Sequence, residues 1–246
     1  GIVIWLVLAG CVVTAGAALL LPGRGESQSA ARRHGEGDGA TETGPVLDVA
    51  AVLGLIRSPV FVFMLIACGT VQAAHATYYA LGSIHWARQG IPAEVIGLLW
   101  AVGVFAEVGL FAWSGAVYQR FSAAVLMIAG AAASVLRWGV MAFDPGIGVL
   151  FVLQLLHALT FGASHLAAIR FISESVDVSL AGTAQALYAT IAMGVAMGAA
   201  TLLSGTYYPE LAGSTYLLMA VVSCVGLAAG WVVMRMGARA VPLPEA

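Results

Sequence analysis

Residues 93–118 read AEVIGLLWAVGVFAEVGLFAWSGAVY, a run in which Glu107 is the only charged side chain after the opening Glu94. As a helix rising 1.5 Å per residue it would be about 39 Å long, more than the roughly 30 Å hydrocarbon core of a bilayer. A continuous apolar run of this length is also more than twice a barrel strand of about ten alternating residues. It therefore reads as a membrane-spanning helix. Six further runs share its character, giving approximate spans 1–21, 59–84, 93–118, 123–143, 148–173, 180–204 and 214–236. The composition agrees: 61% of the 246 residues are hydrophobic and 9% charged, with a mean hydropathy of +0.97. So little polar surface cannot cover a water-soluble core, and the apolar surface must face lipid. The chain is expected to be an all-α integral membrane protein with seven transmembrane helices.

The same arithmetic excludes several functions. A net charge of −2 without a basic face gives phosphate backbones nothing to bind, so no nucleic-acid partner is expected. All ten basic residues are Arg, which rules out Schiff-base chemistry on a lysine. Cys11, Cys68 and Cys224 stand far apart inside apolar runs and suggest neither a disulfide framework nor a thiolate metal site. No metal and no cofactor are expected. The glycine-rich Gly35-Glu36-Gly37-Asp38-Gly39 lacks the Gly-Lys-Ser/Thr ending of a phosphate loop.

Organisation follows from the connections. Residues 1–21 form a lone span rather than a secretory signal, and residues 22–58, with nine of the 22 charged residues, form a flexible linker. Residues 59–236 hold six tightly connected spans and 237–246 a short tail. The linker and tail lie on one side with Arg24, Arg32, Arg33, Arg57, Arg120, Arg170, Arg235 and Arg239, against Arg88 opposite. By the positive-inside rule that side is cytoplasmic. Turns at Gly90-Ile91-Pro92, Asp144-Pro145-Gly146 and Tyr208-Pro209 are expected outside. One span, a charged linker and six spans is the plan of span six, central loop and spans seven to twelve in a two-half carrier. The missing partner is then an N-terminal half.

Five stretches carry a family resemblance: Arg57-Ser58-Pro59-Val60-Phe61, Tyr78-Tyr79-Ala80-Leu81-Gly82-Ser83, Ile96-Gly97-Leu98-Leu99-Trp100-Ala101, Leu155-Leu156-His157-Ala158-Leu159-Thr160-Phe161-Gly162 and Ala184-Gln185-Ala186-Leu187-Tyr188-Ala189. Over residues 52–236 the chain resembles the major facilitator superfamily, and within it the phenylpropionate-permease-like branch. The resemblance implies a proton-coupled symporter of a small organic solute in a bacterial inner membrane, with an aromatic carboxylate or, alternatively, a sugar or nucleoside as cargo. It also implies a cytoplasmic loop motif at Gly115 and Arg120, where Gln119 stands in place of the usual acid. Glu107, Arg137 and His157 are similar in order and span to the acid, arginine and histidine of the lactose permease branch. The second acid of that arrangement is replaced by Thr160.

The residues point to the same places without the resemblance. Glu107 lies mid-span, where an ionisable side chain costs at least about 2.5 kcal/mol, so a functional role is the default reading. Arg137 and His157 fall at overlapping depth on the next two spans, and the three form a candidate charge network for proton coupling. Cys68, Gln72, His75 and Tyr79 recur at spacings of four, three and four, which sets them on one helical face. Gln154, His157, Phe161, Ser164 and His165 make a second stripe, and Gln185, Tyr188 and Ala192 a third. Polar stripes facing lipid are costly, so Gln72, His75, Tyr79, Gln154, Gln185 and Tyr188 are expected to line a solute cavity. Two rival classes are weaker. An intramembrane serine protease could use Gly162-Ala163-Ser164-His165 with His75 as base, but Ser164 sits mid-helix rather than on a strained turn. A seven-span receptor fits the outside start but not the long linker. An enzyme is not expected.

Overall fold

The computed structural model describes residues 49–237. The lone span 1–21, most of the linker and nearly all of the tail lie outside the described residues. What is described is helical throughout, as expected. Helix α1 spans Val49–Arg57, α2 Pro59–Ala73, α3 Ala76–Arg88, α4 Ala93–Ala112, α5 Ser114–Arg120 and α6 Ala123–Met141. Then come α7 Ile147–Leu155, α8 Ser164–Ser175, α9 Ala181–Tyr188, α10 Met197–Leu211 and α11 Thr215–Met236. Ala158–Ala163 and Ala189–Ala196 are π-helical and join α7 to α8 and α9 to α10. Five continuous stretches are long and apolar enough to cross a membrane: Pro59–Arg88, Ala93–Ala112, Ala123–Met141, Ile147–Ser175 and Val178–Met236. The last, at 59 residues, would be about 90 Å long if straight, three times a bilayer core. It is broken at Ala212, whose φ is 45°.

Local chemistry sets the boundaries. Pro59 opens α2, where its missing N–H costs nothing. Gly90, with φ 81°, turns the chain out of α3. Ser122 caps α6 by accepting from the Val125 N–H at 3.4 Å. Asp177 accepts from the N–H and hydroxyl of Ser179 at 2.8 and 2.6 Å, closing the turn into the Val178–Leu180 3₁₀ segment. Those two bonds hold its carboxyl below the usual carboxylate range. One expected turn is displaced. The chain does not turn at Tyr208-Pro209: α10 carries Pro209 and ends at Leu211, and the turn is Ala212–Ser214. Proline removes only the bond back to Gly205, in the helix's last turn, so the helix survives it.

Helix α11 packs lengthwise on α6 and α2. Gly226 permits this, because a Cβ there would meet Thr70 Oγ1 at 2.6 Å and the Ala67 carbonyl at 3.0 Å. Gly230 lies against Met127 and Ile128 in the seam with α6. The apolar interior forms two clusters. One gathers Phe61, Met64, Met127, Phe171 and Ile172; the other gathers Tyr78, Trp86, Trp138, Met141 and Tyr216. The buried polar side chains Gln72, His75, Ser134, Arg137, Gln154, His157 and Thr160 come from the levels where the two meet. Three helical stretches leave α geometry there as well: the α2–α3 break at Ala74-His75 and both π segments.

Candidate functional site

Arg137 is fully buried on α6, and a guanidinium can only donate. Its Nη1 donates to His157 Nδ1 and to Thr160 Oγ1, both at 3.0 Å, and its Nη2 donates to Gln154 Oε1 at 2.8 Å. The hydroxyl of Tyr78 donates to the same Gln154 oxygen at 3.0 Å. The guanidinium carbon also lies 4.8 Å from the centre of the Tyr78 ring and 4.6 Å from that of Trp138. Hydrogen bonds and ring faces thus replace the water this cation has lost. Among the described residues no carboxylate pairs with Arg137 directly.

The directions of these bonds assign both histidine tautomers. His157 receives a bond at Nδ1, so its neutral ring carries the proton on Nε2, which lies 3.3 Å from Glu107 Oε2. His75 presents Nδ1 to the carbonyls of Val71 and Gln72 at 3.0 and 3.2 Å. Carbonyls cannot donate, so Nδ1 carries the proton and Nε2 accepts from the Thr160 hydroxyl at 3.1 Å. Arg137 therefore heads two donor chains. One ends on His157, whose Nε2 stands 3.3 Å from Glu107 Oε2, and the other runs through Thr160 to His75. Glu107 keeps 18% of its side-chain surface exposed, against 7% for His157, so the first chain ends at the edge of the bundle. Gly103, one turn before Glu107, lets α4 approach Gln154 and His157.

The other residues expected at the site divide. Gln72 is fully buried and its Nε2 donates to the Phe161 carbonyl at 3.2 Å, within the first π segment. Gln72, His75 and Gln154 are thus turned into the bundle. Tyr79 is exposed, at 41%, stacked on His75 at 5.5 Å and facing Trp100 at 6.0 Å. Tyr188 is buried, 6.0 Å ring to ring from His165, and belongs to the apolar cluster that holds Cys68. Gln185 is exposed and joins neither group. The buried face of its helix is Ala184, Tyr188 and Ala192, one step around.

At the other end of the spans, Gly115 and Arg120 are exposed. Where an acid would precede Arg120, the grip comes instead from Arg170 on α8. Its Nη1 donates to the carbonyls of Tyr118 and, at 2.6 Å, of Phe121, and its Nε pairs with Glu174 at 2.6 Å. A further cluster was invisible in the sequence: His85 bonds Asp144 at 2.8 Å and the Tyr208 hydroxyl at 3.0 Å, tying α3, the α6–α7 turn and α10 together. Its members stand 59 and 123 positions apart, a distance at which no spacing rule operates.

Comparison with known proteins gives these positions a context. Residues 1–219 match the MFS_1 like family. Over 174 residues the chain is 36% identical to the probable 3-phenylpropionic acid transporter of Escherichia coli (strain K12), a stretch covering 71% of this chain and 45% of that protein. The chain thus spans less than half the length of this curated relative. No solved structure matches the chain. The branch suggested by the five motifs agrees with that relative, and the family match covers both the apolar helices and the Arg137 network they enclose. The chain belongs to the MFS_1 like family of the major facilitator superfamily.

Proposed function

We propose that this chain is the C-terminal part of a proton-coupled secondary transporter that carries a small organic solute, an aromatic carboxylate such as phenylpropionate, across a bacterial inner membrane. In this reading residues 1–21 are the sixth span, 22–58 the cytoplasmic linker and 59–236 the six-helix C-terminal bundle, with the tail also cytoplasmic. The name of the relative supports the solute class. The exposed Tyr79 ring, stacked on His75 and facing Trp100, supports it too, because it offers a flat apolar wall to an aryl group. Gln72, His75 and Gln154 would stand behind that ring, Gln185 and Tyr188 would line the cavity apart from it, and Gly115 and Arg120 would serve the cytoplasmic loop.

The observation that carries the coupling is the chain Arg137–His157–Glu107. An ionised Glu107, its Oε2 3.3 Å from His157 Nε2, gives the buried cation of Arg137 a counter-charge one ring away. A proton added at Glu107 removes that charge, so the packing of α4 against the His157 end of the first π segment senses protonation. If protonation licenses the loaded carrier to change sides, Glu107→Gln fixes the protonated mimic. In the complete carrier, solute exchange without a gradient should survive in Glu107→Gln while accumulation driven by a pH gradient disappears. A ratio of accumulation to exchange equal to wild type would remove Glu107 from the coupling.

A further inference from the structure

The hydroxyl of Thr160 is held from both sides. It accepts from Arg137 Nη1 at 3.0 Å and donates to His75 Nε2 at 3.1 Å. It can do both only because His75 has already committed its Nδ1 proton to the Val71 and Gln72 carbonyls. All three side chains are fully shielded, Arg137, Thr160 and His75 each showing no exposed surface, so no water competes for these bonds. The same Arg137 nitrogen that meets Thr160 also meets His157, and that second contact keeps His157 Nδ1 bare and its proton on Nε2, the nitrogen 3.3 Å from Glu107 Oε2.

We propose that Thr160 and His75 are positioning residues for the coupling step: they anchor Arg137 Nη1 so that His157 is held as the Nε2–H tautomer facing Glu107. The proposal rests on the proton-coupled reading above. The location of the anchor calls for a hydroxyl rather than an acid. A carboxylate at residue 160 would pair with Arg137 and neutralise it, whereas a hydroxyl orients the guanidinium and leaves Glu107 as its counter-charge. Setting the anchor in the π segment matters too. Thr160 and Phe161 are adjacent there; His75, in the α2–α3 break, holds the first, and Gln72 of α2 holds the second through its carbonyl. A movement of α2 or α3 against the π segment would thus reach Arg137 through Thr160 before it reached Glu107.

The test uses the complete carrier labelled with 15N-histidine in bilayers, the His75 and His157 signals being identified by substituting each ring. His157 should show a protonated Nε2 and a bare Nδ1, and His75 the reverse. Thr160→Val should shift the bare Nδ1 signal of His157 and lower the ratio of proton-driven accumulation to exchange about tenfold, the scale of one charge-assisted hydrogen bond. Thr160→Ser, which keeps the hydroxyl, should restore both. The reverse tautomers in the unsubstituted carrier would overturn the proposal without any variant having to fold. So would a folded Thr160→Val carrier with wild-type His157 signals and a wild-type ratio. The stated tautomers and the Nδ1 shift, in a carrier with no proton-driven accumulation to begin with, would support the anchor and overturn proton coupling instead.

Discussion

At the scale of single residues, the cation at position 137 has to be an arginine. One planar group reaches Gln154, His157 and Thr160 at once, from two nitrogens set at a fixed angle. A lysine carries its three donors on one atom and cannot meet three acceptors in this geometry. Arg137→Lys should therefore insert and fold but leave at least one buried acceptor unpaired, at a cost of about 1.5–3 kcal/mol for a hydrogen bond to a charged group. Thermal unfolding in detergent checks the loss, and a variant as stable as wild type would mean that the network relaxes around a point charge. The sequence marked Glu107, Arg137 and His157 because a charge in an apolar run is expensive and stands out. Tyr78 was not marked, because a tyrosine in such a run is ordinary and only its bond to Gln154 distinguishes it. Gln185 was grouped with Tyr188 because a spacing of three and a spacing of four both fit a helical face. The fold uses the spacing of four, from Ala184 to Tyr188.

At the scale of elements, the apolar runs announced the helices but not their interruptions. The α2–α3 break falls at Ala74-His75 and the π segments begin at Ala158 and Ala189, none of them a proline or glycine. Tertiary hydrogen bonds to the backbone, such as Gln72 to the Phe161 carbonyl, accompany these departures, and no local rule reads them. The helix seam is different, because glycines mark it. Gly226-x-x-x-Gly230 and Gly194-x-x-x-Gly198 look alike in sequence, yet only the first pair is packed among the described residues. A methyl at 226 would press on the Ala67 carbonyl at 3.0 Å, which is backbone and cannot swing away. Gly226→Ala should destabilise the chain by about 1–3 kcal/mol, the usual cost of overpacking. Gly198→Ala, with nothing within 4 Å of the added carbon, should stay within about 0.5 kcal/mol of wild type. Parallel unfolding curves of the two variants decide it, and equal stabilities would mean that the α11–α2 seam gives way at no cost.

At the scale of the whole molecule, composition established a membrane protein, since no arrangement of these side chains could cover the core in water, and the length of the apolar runs made it helical. What it could not supply is the second wall of the site. Helix α4 turns only Ile96, Leu99 and Gly103 fully inward, and Phe105 is 74% and Trp113 70% exposed. Glu107 stands on this thinly covered helix, at the open end of the Arg137 chain. In a two-half carrier the solute site lies near the midplane between the halves, so Tyr79 and Glu107 would face an N-terminal half across it. Without that half the same face meets lipid, which gives a solute no enclosed site and a proton no aqueous route that alternates between sides. The 246 residues alone should therefore insert, and resist extraction from the membrane, yet show no uptake of 3-phenylpropionate in energised vesicles. Co-expression with the preceding five spans of the same carrier should restore uptake. Uptake by the chain on its own would mean that it closes a site by itself or by pairing with a second copy, and the two-half reading would fall.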